Sequence, residues 1–303
     1  MAYEARILAD SISPAGHRLT TALLTVPRIV LAEVNTHRML SKSSASSRAI
    51  PVAKKIAQVS SDLFVPEAFG KNQKGMQHGE VLDEYGQEYA RTVWNDAAHS
   101  AISSAKALSA LEVHKQLANR VLEPFAWHTM FLTGTDWSNF FNLRVNPDAQ
   151  GEFSKGAAML KEAYDESKPV MKQVGGWHLP LVDKEDVRPG IMLAEQWVKI
   201  SAARCARVSF LTHEGKRDTD EDLALYERLL KSGHMSPLEH VARPMTSEEL
   251  HLFALPKKRW NGSRFVIQSG IAPTYCGNLN GWVSLRATIP GEEDILGYRK
   301  ANP

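Results

Sequence analysis

The stretch from Glu80 to about Leu122 keeps helical spacing almost without a break, and it restricts the fold more than any other feature. Val93, Ala97, Ile102, Leu108 and Leu111 supply its apolar positions. Upstream, Leu19 to Val26 is rich in Thr, Leu and Val and reads as a strand. Pro27 then suits the first turn of a helix with Ile29, Val30 and Val34 on its apolar face. Trp137 to Tyr164 is amphipathic and helical in parts, with an interruption near Pro147. An α+β protein is expected, with long helices packed against antiparallel sheet in each half.

Between Lys168 and Gly190, Pro169, Gly175–Gly176, Pro180 and Pro189–Gly190 follow one another closely. This stretch reads as a linker between a first part, 1–167, and a second part, 191–303. The second part opens with a helical Ile191 to Cys205, and Asp220 to Lys231 follows as a charged amphipathic helix that Gly233 is placed to end. Phe64 to Gly79 reads as a long surface loop, and the Ser-rich run Ser41 to Ser47 as another loop.

Charge and cysteine content narrow the function. Lys plus Arg total 36 against 34 Asp plus Glu, a balance that speaks against a general nucleic-acid binder. It leaves room for a local group of arginines gripping one phosphate. Cys205 and Cys276 are the only cysteines, too few for a disulfide scaffold or a four-Cys zinc site. No apolar run reaches membrane-spanning length, and Glu4, Arg6 and Asp10 break up any signal-peptide core, so elimination points to the cytoplasm.

Four clusters can carry chemistry, and each has a plainer reading. Thr36 to Arg48 combines a His-Arg pair, a hydroxyl-rich run and a further Arg, a donor set for a polyanion or simply a solvated loop. Asn139 to Arg144 offers an amide and a guanidinium, or an aromatic core helix with Arg144 snorkelling outward. Arg120 either binds an anion or complements a helix dipole. Gly233 to His240 has the form of a capping box through Ser236 and Glu239; His234, His240 and Glu239 make a weak case for zinc. No Gly-rich dinucleotide fingerprint or Walker loop is present, and neither Cys has an activating neighbour, so an enzyme of this sequence would lean on a cofactor.

Taken in order, these clusters resemble the flavin-dependent thymidylate synthases. That family carries R-H-R-x-x-S-x-N-E-x-S-x-R-Y; Thr36 to Ala49 reads T-H-R-M-L-S-K-S-S-A-S-S-R-A. Arg120 stands ahead of Leu122 and Pro124, and Asn139 to Glu152 reads N-F-F-N-L-R-V-N-P-D-A-Q-G-E, close to the family's N-x-x-x-L-R-x-x-x-x-A-Q-x-E. The resemblance implies FAD, a dUMP-like substrate, methylenetetrahydrofolate as carbon donor, NADPH as reductant and a homo-oligomer, either tetramer or dimer. It assigns His37, Arg38 and Asn139 to FAD and Ser44, Ser46, Ser47, Arg48 and Arg120 to the nucleotide. Arg144, facing the pyrimidine carbonyl, and Ser46 would stand nearest the chemistry.

The departures are specific. Thr36 replaces the first Arg, Ser43–Ser44 replace Asn-Glu, Ala49 replaces Tyr and Asp148 stands where His is usual. These open a second expectation, methylation or hydroxymethylation of another pyrimidine nucleotide such as dCMP, and a third, a non-catalytic nucleotide-binding protein. Moreover, A-A-R-V-S and G-H-x-S-P-x-E-H normally precede the family signature, whereas here Cys205 to Ser209 and Gly233 to His240 follow it. Asn278 to Arg286 faintly echoes Asn139 to Arg144. An internal duplication or a permutation follows as an expectation, with Ser209, Ser236 and Glu239 lent to the flavin site and two related halves as one form of it.

Overall fold

A computed structural model describes residues 3–183, 186, 193–215, 217–254, 259–260, 265–266 and 278–290. Cys276 and Pro189–Gly190 lie outside the described residues. The chain begins with strands β1 (Glu4–Ile12) and β2 (Arg18–Pro27), then helix α1 (Leu31–Asn35), strand β3 (Ser41–Ser44) and helix α2 (Val52–Ser61). Helix α3 (Glu84–Ala110) and the short α4 (Lys115–Ala118) lead through a 3-10 turn, Arg120–Phe125, into β4 (Trp127–Gly134). Helices α5 (Ser138–Arg144) and α6 (Gly151–Glu166), strand β5 (Val170–Met171), and helices α7 (Ala194–Ala206) and α8 (Thr219–Lys231) follow. Last come β6 (Ala242–Pro244), α9 (Ser247–Ala254), β7 (Arg259–Trp260), β8 (Phe265–Val266) and β9 (Trp282–Ser284).

The architecture is α+β. Its main sheet runs β3-β4-β2-β1-β5, antiparallel except for β5, which lies parallel to β1. Strand β2 is buried almost throughout because both faces of the sheet are covered. On one face Leu24, Val26, Met130 and Leu132 pack against Phe140, Phe153 and Leu160 of α5 and α6. Gly156 permits that approach, since a Cβ there would meet Val26 Cγ1 at 2.4 Å. On the other face Leu23 and Phe131 meet Leu181, Cys205 and Val208. Side chains alternate across a strand, so neighbouring residues of β2 serve opposite cores.

The α3 helix starts where Asp83 accepts from Gly86 N at 2.8 Å, and α8 stops where Gly233 takes φ +70° and His234 N reaches Leu229 O at 2.9 Å. Helix α5 ends just before Pro147 and α6 begins at Gly151, the interruption expected there.

Several expectations are corrected. Ser41–Ser44 is an edge strand on β4, not a loop: Ser41 and Ser43 are buried, and small hydroxyl side chains fit the free edge of a buried sheet. Glu4–Ile12 forms a full strand although its charges hid it. Arg120 opens a 3-10 turn instead of closing a helix. Sheet in the second part is limited, among the described residues, to the pairs β6–β9 and β7–β8, so the five-stranded sheet is not repeated there. The Asn278 to Arg286 echo has a different local structure from Asn139 to Arg144, strand β9 in place of a helix. The 168–190 stretch carries β5 and also His178, whose backbone pairs with Ala242. Among the described residues no helix is long and apolar enough to cross a membrane.

Candidate functional site

The residues of the hydroxyl-rich run take their directions from the end of the sheet. Ala45 N still bonds Thr129 O at 2.9 Å, but Ser46 N leaves the sheet and donates to Ser209 O at 3.0 Å. Ala49 N and Ile50 N both return to Ser46 O, closing a tight turn. From below, the buried Asn119 amide donates to Ser47 O at 2.8 Å and Ile50 O at 2.9 Å. The turn is thereby held at both ends, with Ser46, Arg48 and Ala49 on one side and Ser47 on the other.

That first side is one wall of a cleft of about 1070 Å³. The opposite wall comes from the second part: Arg207 and Ser209 after α7, Arg228 in the last turn of α8, and His234 and Ser236 beyond Gly233. Lys42, His114 and Lys115 complete its basic lining, and no Asp or Glu lines it among the described residues. Arg207 is held by Asp222 through Nε at 2.9 Å and Nη2 at 2.6 Å, and Asp222 also binds the fully buried Arg204 at 2.9 Å. Arg48 and Arg228 are exposed, with no side-chain partner among the described residues. A cleft with charged donors on both walls and no resident carboxylate is suited to a polyanion, and its volume is at the upper end for small-molecule sites, about 300–1,000 Å³.

A second group adjoins it. Arg144 Nε donates to His37 Nε2 at 2.8 Å, its Nη2 reaches Thr36 Oγ1 at 3.3 Å, and its guanidinium lies 4.8 Å from the Phe153 ring centroid. Burial first, then Arg144 and Lys42, push the His37 imidazole down to about 4, so it accepts as a neutral ring. Lys42 joins the two groups: it lines the cleft while its Nζ donates to His37 O at 2.6 Å. Burial lowers the Lys42 ammonium as well, opposed by Glu239.

The expected site residues thus fall into separate places. Ser44, Ser46, Arg48, Ser209 and Ser236 share the cleft. His37 and Arg144 pair beside it, while Arg38 and Asn139 are exposed. Ser47 and Arg120 lie behind the wall, both bonded to Glu123. Glu239 binds Arg286 at 2.6 Å and makes no capping box; Ser236 lies inside a 3-10 turn, Ser236–His240, whose cap, Met235, makes no side-chain cap hydrogen bond. His240 is fully buried on Thr133 and His234 bonds Ser232, so the two histidines do not converge, and the described residues hold no metal-binding group. The Cys205 thiol is buried and burial pushes it up, away from the thiolate. Lys115, Arg228 and Glu123 were missed by sequence reasoning, because an isolated charge on a helix or turn carries no local signal.

The α+β fold carries a cleft with basic lining between a sheet edge and the end of α8, a donor set suited to an anion. The chain belongs to the family described as thymidylate synthase complementing protein, which residues 7–170 match. Among solved structures it is similar to the UMP/dUMP methylase PolB from Streptomyces cacaoi bound with 5-Br dUMP, at 16% identity and a TM-score of 0.43, over 56% of this chain and 91% of that one. The same protein bound with 5-Br UMP gives 17% identity and a TM-score of 0.45, over 56% and 90%. No curated protein matches the chain.

Proposed function

We propose that the chain is an FAD-dependent enzyme acting on a pyrimidine nucleotide, with reductive methylation of dUMP to dTMP by methylenetetrahydrofolate and NADPH as its first candidate reaction. The cleft carries this reading. Ser44, Ser46 and Arg48 lie near the start of the chain and Ser209 and Ser236 far along it, yet they line one space with no carboxylate among its described residues. Such a donor set fits the phosphates of a nucleotide and of a flavin dinucleotide. When bound, the flavin supplies hydride to the substrate; the chain's own residues orient the anions and hold fixed charge.

In this reading Arg144 is the fixed cation facing the pyrimidine carbonyl. Its partners, His37 and Thr36, are neutral, so its charge is not cancelled. If it stabilises charge that develops only in the transition state, Arg144→Ala lowers kcat by ~10²-fold or more and moves KM far less. Equal losses in affinity with none in turnover would reduce Arg144 to a binding residue. His37, Arg38 and Asn139 are kept as flavin contacts. Glu239 acts beside Lys42, and the part beyond 190 lends Ser209 and Ser236 to the site. Ser43–Ser44, Thr36 and Asp148 depart from the family signature, which favours testing dCMP as a second substrate.

A homo-oligomer and a cytoplasmic address belong to the same reading. Helix α3 buries only Ala98 and Ala105 fully and exposes Tyr85, Tyr89 and Val93, with Leu111 just beyond its end, as apolar surface for a second copy. The deciding experiment is an absorption spectrum of the purified protein with FAD, followed by NADPH under anaerobic conditions with dUMP present. A bound-flavin spectrum bleached by NADPH supports the reading and justifies product analysis nucleotide by nucleotide. A protein that neither retains nor takes up FAD returns the chain to a nucleotide-binding role without catalysis.

A further inference from the structure

Behind the cleft wall, one carboxylate oxygen serves more donors than its charge can balance. Glu123 Oε1 accepts from Ser47 Oγ at 2.5 Å and from Arg120 Nη1 at 2.8 Å, and lies 2.9 Å from Arg28 Nη2. Lys55 is almost wholly buried nearby; burial, then Arg28, push its ammonium down to about 8, and Glu123 opposes them. Arg28 Nη1 is engaged by His128 Nδ1 at 2.8 Å, and burial pushes that imidazole down to about 3, so it adds no charge. Two guanidiniums and a hydroxyl around a single oxygen, with an ammonium in the same surroundings, are what a bound phosphate would be given. Here the protein's own carboxylate fills the place.

The turn at Ser46–Ile50 separates this seat from the cleft. Ser46 and Arg48 face the cleft, whereas Ser47 faces Glu123. A ligand phosphate brought to the Ser47 side would meet a like charge a few ångströms away, a repulsion of order 10²-fold or more in affinity. On the cleft side it would meet Arg48, Lys115 and Arg228, with no carboxylate in the lining among the described residues.

We propose that Glu123 is a specificity-determining residue: it occupies the oxyanion seat of Arg28, Arg120 and Ser47 and directs the phosphate of a bound nucleotide to the Arg48–Lys115–Arg228 side of the turn. The nature of the ligand rests on the nucleotide reading above, but the filled seat does not. Ser47 and Arg120 then hold the turn through Glu123 in place of touching the ligand.

Calorimetric titration with deoxyuridine, dUMP and inorganic phosphate tests this on the wild-type protein and three variants. In the wild type, dUMP binds ~10-fold or more tightly than deoxyuridine, the worth of a charge-assisted phosphate contact. Arg228→Ala removes most of that preference, and Arg120→Ala keeps most of it. Glu123→Gln, which preserves shape and removes the charge, binds inorganic phosphate ~10-fold more tightly than the wild type. Loss of the preference in Arg120→Ala with retention in Arg228→Ala overturns the proposal, because the phosphate would then displace Glu123. No gain of phosphate in Glu123→Gln overturns the filled seat. Should that variant fail to fold, the two arginine variants decide, since Arg120 is 49% exposed and Arg228 exposed. If the wild type binds neither nucleoside nor nucleotide while Glu123→Gln takes up phosphate, the nucleotide reading falls and the seat stands.

Discussion

Between Ser11 and His240 the sheet meets the C-terminal region through hydroxyls and neutral imidazoles, each bonded to the next; beside Ser46 the same contact opens into the cleft. In the first place Ser11 Oγ pairs with His178 Nδ1 at 2.8 Å and His178 Nε2 with Thr21 Oγ1 at 2.9 Å. Thr21 and Thr133 hydroxyls meet at 2.6 Å, and Thr133 reaches His240 Nδ1 at 2.7 Å. All five side chains are buried. In the second place Arg48 and Arg228 are charged and exposed, without a side-chain partner among the described residues. Buried polar groups must be paired among themselves or they destabilise the fold. Charges left open to solvent at little cost remain available to a ligand. The closed chain therefore reads as the device that docks the two parts, and the open cleft as the working surface.

Acid should weaken the closed contact strongly, because it holds two of the buried neutral imidazoles. Burial pushes His178 and His240 down to about 3 from an ordinary value of 6.5. Above pH 6.5 both states are neutral and stability is whole. Below it the unfolded chain takes up protons that the folded chain refuses until about pH 3. Stability then falls by about 1.4 kcal/mol per pH unit for each histidine. Urea midpoints measured at pH 7 and pH 5 should separate clearly; coincident midpoints would mean the imidazoles are not held neutral.

Asp222→Ala ranks next. It strips a partner from Arg204, which is wholly buried, and from Arg207, and should cost about 3–5 kcal/mol in urea unfolding. Because Arg207 lines the cleft, affinity for the proposed flavin should drop with it, and an unchanged affinity would uncouple that network from the site. Thr133→Val breaks the chain at its centre, leaves Thr21 and His240 without their shared hydroxyl, and should cost about 1–3 kcal/mol. A neutral Thr133→Val would deny the chain its docking role. The smallest effect on stability belongs to the open side: Arg228→Ala should change unfolding by no more than about 0.5 kcal/mol. A large loss there would show a structural partner for Arg228 and blur the contrast.

Much of the local structure was legible because its causes are local. Helix α3 follows from helical spacing, although it ends at Ala110 and the rest of the expected stretch forms the short α4 and part of a 3-10 turn; the break between α5 and α6 follows from Pro147. The end of α8 follows from Gly233, whose φ of +70° suits a residue without a Cβ. Strand β1 was hidden because Glu4, Arg6 and Asp10 interrupt its apolar residues; Asp10 is satisfied by Arg18 and Thr20 of the neighbouring strand, a partner that spacing cannot reveal. Ser41–Ser44 carries loop-like side chains, yet the open edge of β4 supplies backbone partners and makes a strand of it.

The sequence by itself determined the mixed α+β character, the end of α8 and the ordered motifs that mark the family, since each depends on residues close together in the chain. Only the tertiary structure decided that Ser46 N meets Ser209 O, that Ser47 turns from the cleft to Glu123, and that Glu239 binds Arg286 and caps no helix. Those choices depend on which distant donors and acceptors the packing of the sheet brings within hydrogen-bond reach, and residue spacing carries no record of that.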